Sequence, residues 1–185
     1  MRILIISDIH GSAYYAKQIP EIFRKEKADK IILLGDLYYH GPRNPLPRDY
    51  DPIKVAKILN SLKDKIDVIR GNCDAEVDEM ISEFKFQDHL LLEINGIKVY
   101  FTHGHKYNID KLPSEKIDMM LYGHFHTGFI TERDGIIFAN PGSITLPKND
   151  TKNSYLILDE ENIVLKDIDG NVIETKTFRR NRNGI

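Results

Sequence analysis

The chain holds a single cysteine, Cys73, so no disulfide can form within it. That scarcity fits a reducing cytoplasm, the expected location. Long apolar runs are missing as well. No stretch approaches the roughly 18 residues that a membrane-spanning helix needs. The opening run Met1-Arg2-Ile3-Leu4-Ile5-Ile6 stops at Ser7-Asp8 and has neither the length nor the cleavage site of a signal peptide. Charge of one sign is scarce too. A formal net charge of −2 argues against a strongly basic nucleic-acid surface. Local basicity is confined to Lys176 through Arg182, read as a solvated tail that frays from about 178 to 185. No repeat, low-complexity tract or interdomain linker interrupts the chain. Its 185 residues therefore read as one domain, 1–185. A domain of that length buries roughly 70% of its unfolded surface and needs no disulfide staples.

What is present is a set of polar residues placed by one grammar. An apolar run comes first, and an Asp, Asn or His arrives as it stops. Ile3-Leu4-Ile5-Ile6-Ser7 ends in Asp8-Ile9-His10, and Ile31-Ile32-Leu33-Leu34-Gly35 ends in Asp36. Val68-Ile69-Arg70-Gly71 ends in Asn72, and Val99-Tyr100-Phe101-Thr102 ends in His103. Met119-Met120-Leu121-Tyr122-Gly123 ends in His124-Phe125-His126. Ligands of an α/β sheet gather beyond the carboxyl ends of its strands, so residues far apart in sequence can meet there.

The segments between these runs indicate the architecture. Ser12 is a plausible N-cap for a helical stripe of Ala13, Ala16, Ile19, Ile22 and Phe23, with a kink or restart at Pro20. Residues 38–51 hold Pro42, Pro45 and Pro47 and read as a long loop beside the site. Asp51-Pro52 opens a helix whose buried face would be Ile53, Ala56, Leu59 and Leu62. A short helix follows Asp74. The second half changes to hairpins, turned at Asn95-Gly96, Asp134-Gly135 and Asp169-Gly170-Asn171. The fold class is α/β, with β-α-β units followed by hairpin-rich strands. Two packed sheets with helices outside would hold both halves.

Four imidazoles, two carboxylates and one amide oxygen are too many donors for one ion. They suit two ions with a carboxylate bridging them. A mixed nitrogen and oxygen set without thiolates favours borderline divalent metals. Two such ions about 3.5–4 Å apart can clamp a phosphate and activate a water between them. No protein nucleophile is then required.

The ordered set resembles the calcineurin-like metallophosphoesterase superfamily. The matching pieces are Asp8-Ile9-His10, Gly35-Asp36, Gly71-Asn72-Cys73-Asp74, Thr102-His103-Gly104, Gly123-His124-Phe125-His126 and Asn140-Pro141-Gly142-Ser143. His40-Gly41-Pro42-Arg43-Asn44 and Arg70-Gly71-Asn72-Cys73-Asp74 look like the small bacterial and archaeal YfcE-type phosphodiesterases. The resemblance implies a four-layer αββα sandwich and hydrolysis of small phosphodiesters by a hydroxide bridging two metals. It implies that Asp8, His10 and His126 bind one ion and that Asn72, His103 and His124 bind the other. Asp36 would bridge them. Manganese is the expected metal, with nickel, cobalt, iron and zinc as alternatives. A homodimer or homotetramer is implied as well; the composition itself gives no membrane span and no strong nucleic-acid signature.

Cys73 stands where many superfamily members carry a histidine. An ordinary thiol is neutral near pH 7 and supplies no cation. Cys73 thus reads as a weakened leaving-group or substrate contact, or simply as a small buried residue. Arg43 reads as a bidentate phosphate contact or as an exposed loop arginine. His40 and His105 read as substrate-side residues or as structural hydrogen-bonding histidines. Phe125 reads as a packing residue. A reading from another class keeps the fold without the chemistry, because the retromer subunit Vps29 resembles this fold and serves mainly as a protein-binding scaffold. A scaffold is free to lose a ligand, whereas all seven stand here.

Overall fold

The computed structural model describes residues 1–178. The basic tail lies almost wholly outside them. Strands β1 (Ile3–Ile6), β2 (Lys30–Leu33), β3 (Ile66–Ile69) and β4 (Phe86–Gln87) pair in parallel. Strands β5 (Leu90–Ile94), β6 (Ile97–Thr102), β7 (Met119–Tyr122), β8 (Gly128–Arg133) and β9 (Ile136–Pro141) form a second sheet, ordered β5-β6-β7-β9-β8. The chain then returns to the first sheet with β10 (Ser154–Leu158), β11 (Asn162–Asp167) and β12 (Val172–Thr177). The larger sheet runs β12-β11-β10-β1-β2-β3-β4.

The apolar runs are continuous because both faces of the central strands are covered. Alternate residues point to opposite faces. Leu4, Ile6, Ile31 and Leu33 meet the helices, while Ile3, Ile5, Ile32 and Leu34 meet the second sheet. Val99, Phe101, Met119 and Leu121 face them from that sheet, and the core between the sheets is fully buried. The helices α1 (Ala13–Ala16), α2 (Ile19–Lys25) and α3 (Pro52–Asn60) cover the outer face of the larger sheet. The outer face of the smaller sheet is covered differently. Tyr100, Met120, Tyr122 and Phe138 pack under Tyr107, Ile109 and Ile117 from the irregular segment 104–118. The fourth layer of this sandwich is therefore a loop.

Local signals behave as their chemistry requires. Ser12 Oγ accepts the Tyr15 amide at 3.4 Å, and the helix breaks and restarts with Pro20 in the first turn of α2. Asp51 caps α3 through the Lys54 amide at 2.9 Å. The α3 face differs from its expected set. Ile53 is 54% exposed and Val55 is buried in its place beside Ala56 and Leu59. The helix opens at Asp51-Pro52 as expected, but its sheet-facing side is Val55, Ala56 and Leu59 and leaves Ile53 outward. The short helix after Asp74 is a 3-10 turn over Glu76–Ile81. Strand β10 has no counterpart in the sequence reading. It is buried along its whole length beside β1, and it carries the hairpins of the C-terminal third into the larger sheet.

Truncating the inter-sheet core tests this packing. Leu121→Ala should lower the unfolding free energy by about 2–5 kcal/mol in urea titrations. A loss below about 1 kcal/mol would mean that the space between the sheets is loosely filled.

Candidate metal centre

Parallel pairing of β1 with β2, of β2 with β3 and of β6 with β7 sends five chain exits to one edge of the sandwich. Asp8, Asp36, Asn72, His103 and His124 are the polar residues at those exits. The turns are tight. Asp8, His10, Asp36, His124 and His126 all adopt left-handed backbone, with φ between 50° and 67°. Asp and His tolerate that region better than branched residues, at a cost of about 1–3 kcal/mol each. Glycine makes two of the exits possible. A Cβ on Gly71 would stand 2.1 Å from Asp36 Oδ1, and one on Gly123 would stand 1.9 Å from Ser7 Oγ.

Three imidazoles are oriented by main-chain oxygens. His10 Nδ1 donates to the Tyr39 carbonyl at 2.7 Å, His103 Nδ1 to that of Leu34 at 2.6 Å, and His126 Nδ1 to that of Leu146 at 2.7 Å. A carbonyl only accepts, so the proton sits on Nδ1 and Nε2 faces inward. His10 Nε2 and His126 Nε2 are 3.1 Å apart, and they stand 3.6 and 3.3 Å from Asp8 Oδ1. That oxygen is buried without a hydrogen bond. Asp36 Oδ2 lies 3.7 Å from His10 Nε2 and 3.4 Å from His103 Nε2. Asn72 Oδ1 lies 3.0 Å from His103 Nε2. His124 packs edge-on against His103, with ring centroids 5.1 Å apart, and its amide donates to Asp8 Oδ2 at 3.0 Å.

Electron-rich atoms converge here with few protons to share, so the arrangement calls for positive charge. Complete burial would raise the Asp8 carboxyl, but the His10 and His126 imidazoles hold it well below the usual range. Burial opposes protonation of His103, yet the Asp36 and Asp8 carboxylates push it up to about 9. Protons on imidazole can supply that charge, and a cation can replace them. Asp8, His10 and His126 form one group with donor atoms within 4.8 Å of one another; Asp8, Asp36 and His103 form another. Asp36 also joins His10 and Cys73 in a third. These donors fit divalent metal ions, and both Asp8 and Asp36 take part in more than one group.

The centre opens into a cleft of about 690 Å³, lined by His10, Asp36, Asn72, Cys73, His124 and His126. Arg43 lines it too. His40 does not. Its ring sits edge-on between Tyr39 and Tyr50, with centroids at 4.8 and 5.4 Å, and its Nδ1 is buried and unpaired. His105 is exposed, 5.4 Å from the His103 ring, and does not line the cleft. Partial desolvation of its ring against the cluster and the His103 charge push it down to about 4. Cys73 Sγ accepts from Asn72 Nδ2 at 3.3 Å, and burial with the Asp36 charge pushes the thiol up to about 12. Phe125 departs from its expected packing role: it is 45% exposed at the cleft mouth. A hollow of about 730 Å³ at the opposite strand ends, lined by Glu93, Lys98, Lys116 and Glu132 among others, gathers none of the seven residues.

The model of the calcineurin-like phosphoesterase superfamily domain matches residues 1–163. The chain belongs to the calcineurin-like phosphoesterase superfamily. It is 39% identical to phosphodiesterase YfcE of Escherichia coli K12 over 165 residues, which cover 87% of this chain and 89% of that protein. The solved structure of the E. coli phosphoesterase Yfce superposes with a TM-score of 0.93 at 34% identity, covering 97% of this chain and all of that one. Vps29 of Entamoeba histolytica, solved with zinc, shares the fold at a TM-score of 0.64 and 22% identity, over 97% of this chain and all of that one. Membership of the superfamily implies divalent metal ions.

Several residues that hold this phosphoesterase centre had no role in the sequence reading. Buried Asp74 accepts the amides of Asp36 and Leu37 at 2.8 Å and of Gly71 at 2.7 Å, tying the β2 and β3 exits together. Burial and the Asp36 charge push its carboxyl up to about 6, against those three donors. Asn140 Nδ2 donates to the Gly123 carbonyl at 2.8 Å, Ser143 Oγ to that of Asp8 at 2.7 Å and Thr145 Oγ1 to that of Ile9 at 2.9 Å. The signal was the polar run Asn140-Pro141-Gly142-Ser143 closing a buried strand. Tyr39, from the loop expected beside the site, and Lys148, which no motif marked, also line the cleft.

The contact between the β2 and β3 exits can be probed directly. Gly71→Ala must displace the Asp36 carboxylate or separate the two exits. It should cost about 1–3 kcal/mol of stability and lower the metal retained after dialysis by more than half. Unchanged metal content by atomic emission would mean that the exits have slack.

Proposed function

We propose that the protein is a metal-dependent phosphodiesterase acting on small phosphodiesters with two divalent ions, manganese by preference. One observation carries the reading: three imidazoles, each fixed by a main-chain carbonyl, turn Nε2 onto two buried carboxylates at the floor of an open cleft. Asp8, His10 and His126 would hold one ion and Asn72, His103 and His124 the other, with Asp36 placed to serve either. Bound there, such a pair would supply Lewis-acid charge for the phosphate and a water acidic enough to attack it near neutral pH. The name of the similar E. coli phosphodiesterase favours a diester as substrate. Nickel, cobalt, iron and zinc suit the same donor set.

The remaining residues shape which diesters react. Arg43 offers a planar fork to a phosphate oxygen from the cleft wall. Cys73 keeps its proton through the neutral range, since burial and Asp36 push the thiol up to about 12. It brings no positive charge and donates weakly. Departing groups must therefore leave with little help, which favours activated diesters. We place the enzyme in the cytoplasm as a small homo-oligomer. Among the described residues no helix is long and apolar enough to cross a membrane. The scaffold reading has less support. The likeness to Vps29 speaks for the fold alone, whereas convergence of the ligand-type residues speaks for chemistry.

Metal content and turnover test the reading together. With added Mn²⁺ the protein should hydrolyse bis(4-nitrophenyl) phosphate much faster than 4-nitrophenyl phosphate. Asp36→Ala and His124→Ala should each lower that rate more than about 100-fold, beyond the effect of losing an outer partner. Activity surviving both substitutions would sink the two-metal reading. Cys73→His should raise turnover of esters with basic leaving groups by roughly tenfold or more, as a positioned acid does. A rate unchanged on every ester would remove the leaving-group argument.

A further inference from the structure

Two large aromatic side chains stand exposed in the cleft, each one step from the ligand cluster. Tyr39 is 43% exposed and Phe125 is 45% exposed, and both line the same cleft as His10, Asp36 and Cys73. They arrive on different loops, one after β2 and one after β7. Scattered surface apolar residues need no explanation, but two aromatics at the mouth of one polar site do.

Both are held in place from behind. Phe125 lies between His124 and His126, whose left-handed backbones, φ 67° and 59°, turn the imidazoles into the centre. The Phe125 amide donates to the Gly123 carbonyl at 2.7 Å. Its ring meets Tyr122 and His124 edge-on, with centroids at 6.0 and 5.1 Å. Edge contacts of this kind fix a ring while leaving its faces available. Tyr39 is anchored through its main chain, because its carbonyl receives the His10 Nδ1 proton. Its ring meets His40 edge-on at 4.8 Å, and His40 is backed by Tyr50. A platform ordered before binding loses little entropy when a ligand settles on it.

We infer that the cleft selects phosphate esters carrying a flat aromatic group, a nucleobase or an aryl ring, which stacks on Phe125 and Tyr39 while the phosphate reaches the metal centre. The inference rests on the diesterase reading and names its substrate class. Arg43 and Lys148 line the same cleft and supply positive charge for the anionic part of such a molecule. Stacking tolerates any flat ring, so the pocket discriminates aromatic from alkyl esters more than one base from another.

Binding to the Mn²⁺-loaded protein separates the ideas. The probes are thymidine 5′-monophosphate, phenyl phosphate and methyl phosphate, measured by equilibrium dialysis and as inhibitors of bis(4-nitrophenyl) phosphate hydrolysis. The wild type should bind the two aromatic esters about tenfold more tightly than methyl phosphate. Phe125→Ala and Tyr39→Ala should each erode that preference, leaving the methyl phosphate constant and the metal content unchanged. Phe125→Tyr should keep the preference. Equal binding of all three esters by the wild type would overturn the inference. So would a parallel loss of methyl phosphate binding in the variants, since that marks a purely structural role. Aromatic preference without diester turnover would leave this inference standing and remove the diesterase reading. Diester turnover without preference would do the reverse.

Discussion

Two carboxylates buried beside one another set the terms for the rest of the molecule. Asp8 is fully buried and Asp36 nearly so, and among the described residues no Lys or Arg side chain pairs with either. Like charges in a low-dielectric interior are costly unless opposite charge stands among them. The chain meets that demand with imidazoles, which can be charged themselves or yield to a cation. Every nearby feature then serves one purpose: bringing correctly turned nitrogen atoms within about 4 Å of those oxygens without crowding the backbone.

That purpose costs conformational energy, and the sandwich absorbs it. Left-handed backbone at five ligand-type residues would unravel a lone loop. Here each turn is fastened to another. Asp74 grips the β2 and β3 exits, while the segment from Asn140 to Leu146 grips the β1 and β7 exits. The continuous core between the two sheets keeps the exits level, so a strained turn cannot relax by sliding its strand.

Much of this was legible in the sequence, for identifiable reasons. Central strands with both faces covered read as unbroken apolar runs, and the polar residue ending each run announced an exit. Asn95-Gly96 and Asp134-Gly135 marked hairpins because both residues must take positive φ, as they do. What escaped reading depends on tertiary placement. Strand β10 is apolar like its neighbours, but nothing local says that it inserts next to β1 and not in the smaller sheet. Ile53 and Val55 are equally apolar, and only the way α3 docks on the sheet decides which is buried. Asp74 looked like one more carboxylate of the motif, and its three amide donors come from residues up to 38 positions away. The layer over the smaller sheet is a loop, whose packing has no periodicity to read.

The carbonyl contacts of the imidazoles have a consequence for how such a protein can change over generations. Main-chain oxygens hold His10, His103 and His126, so the identity of the side chain at Tyr39, Leu34 or Leu146 does not enter the bond. Tyr39 carries both parts at once, a carbonyl that fixes a ligand-type histidine and a ring that borders the cleft. Mutation can replace the ring and leave the carbonyl where it is. The wall facing the substrate is thus free to drift while the centre stays constant, and one inherited reaction core can be fitted to new esters one residue at a time.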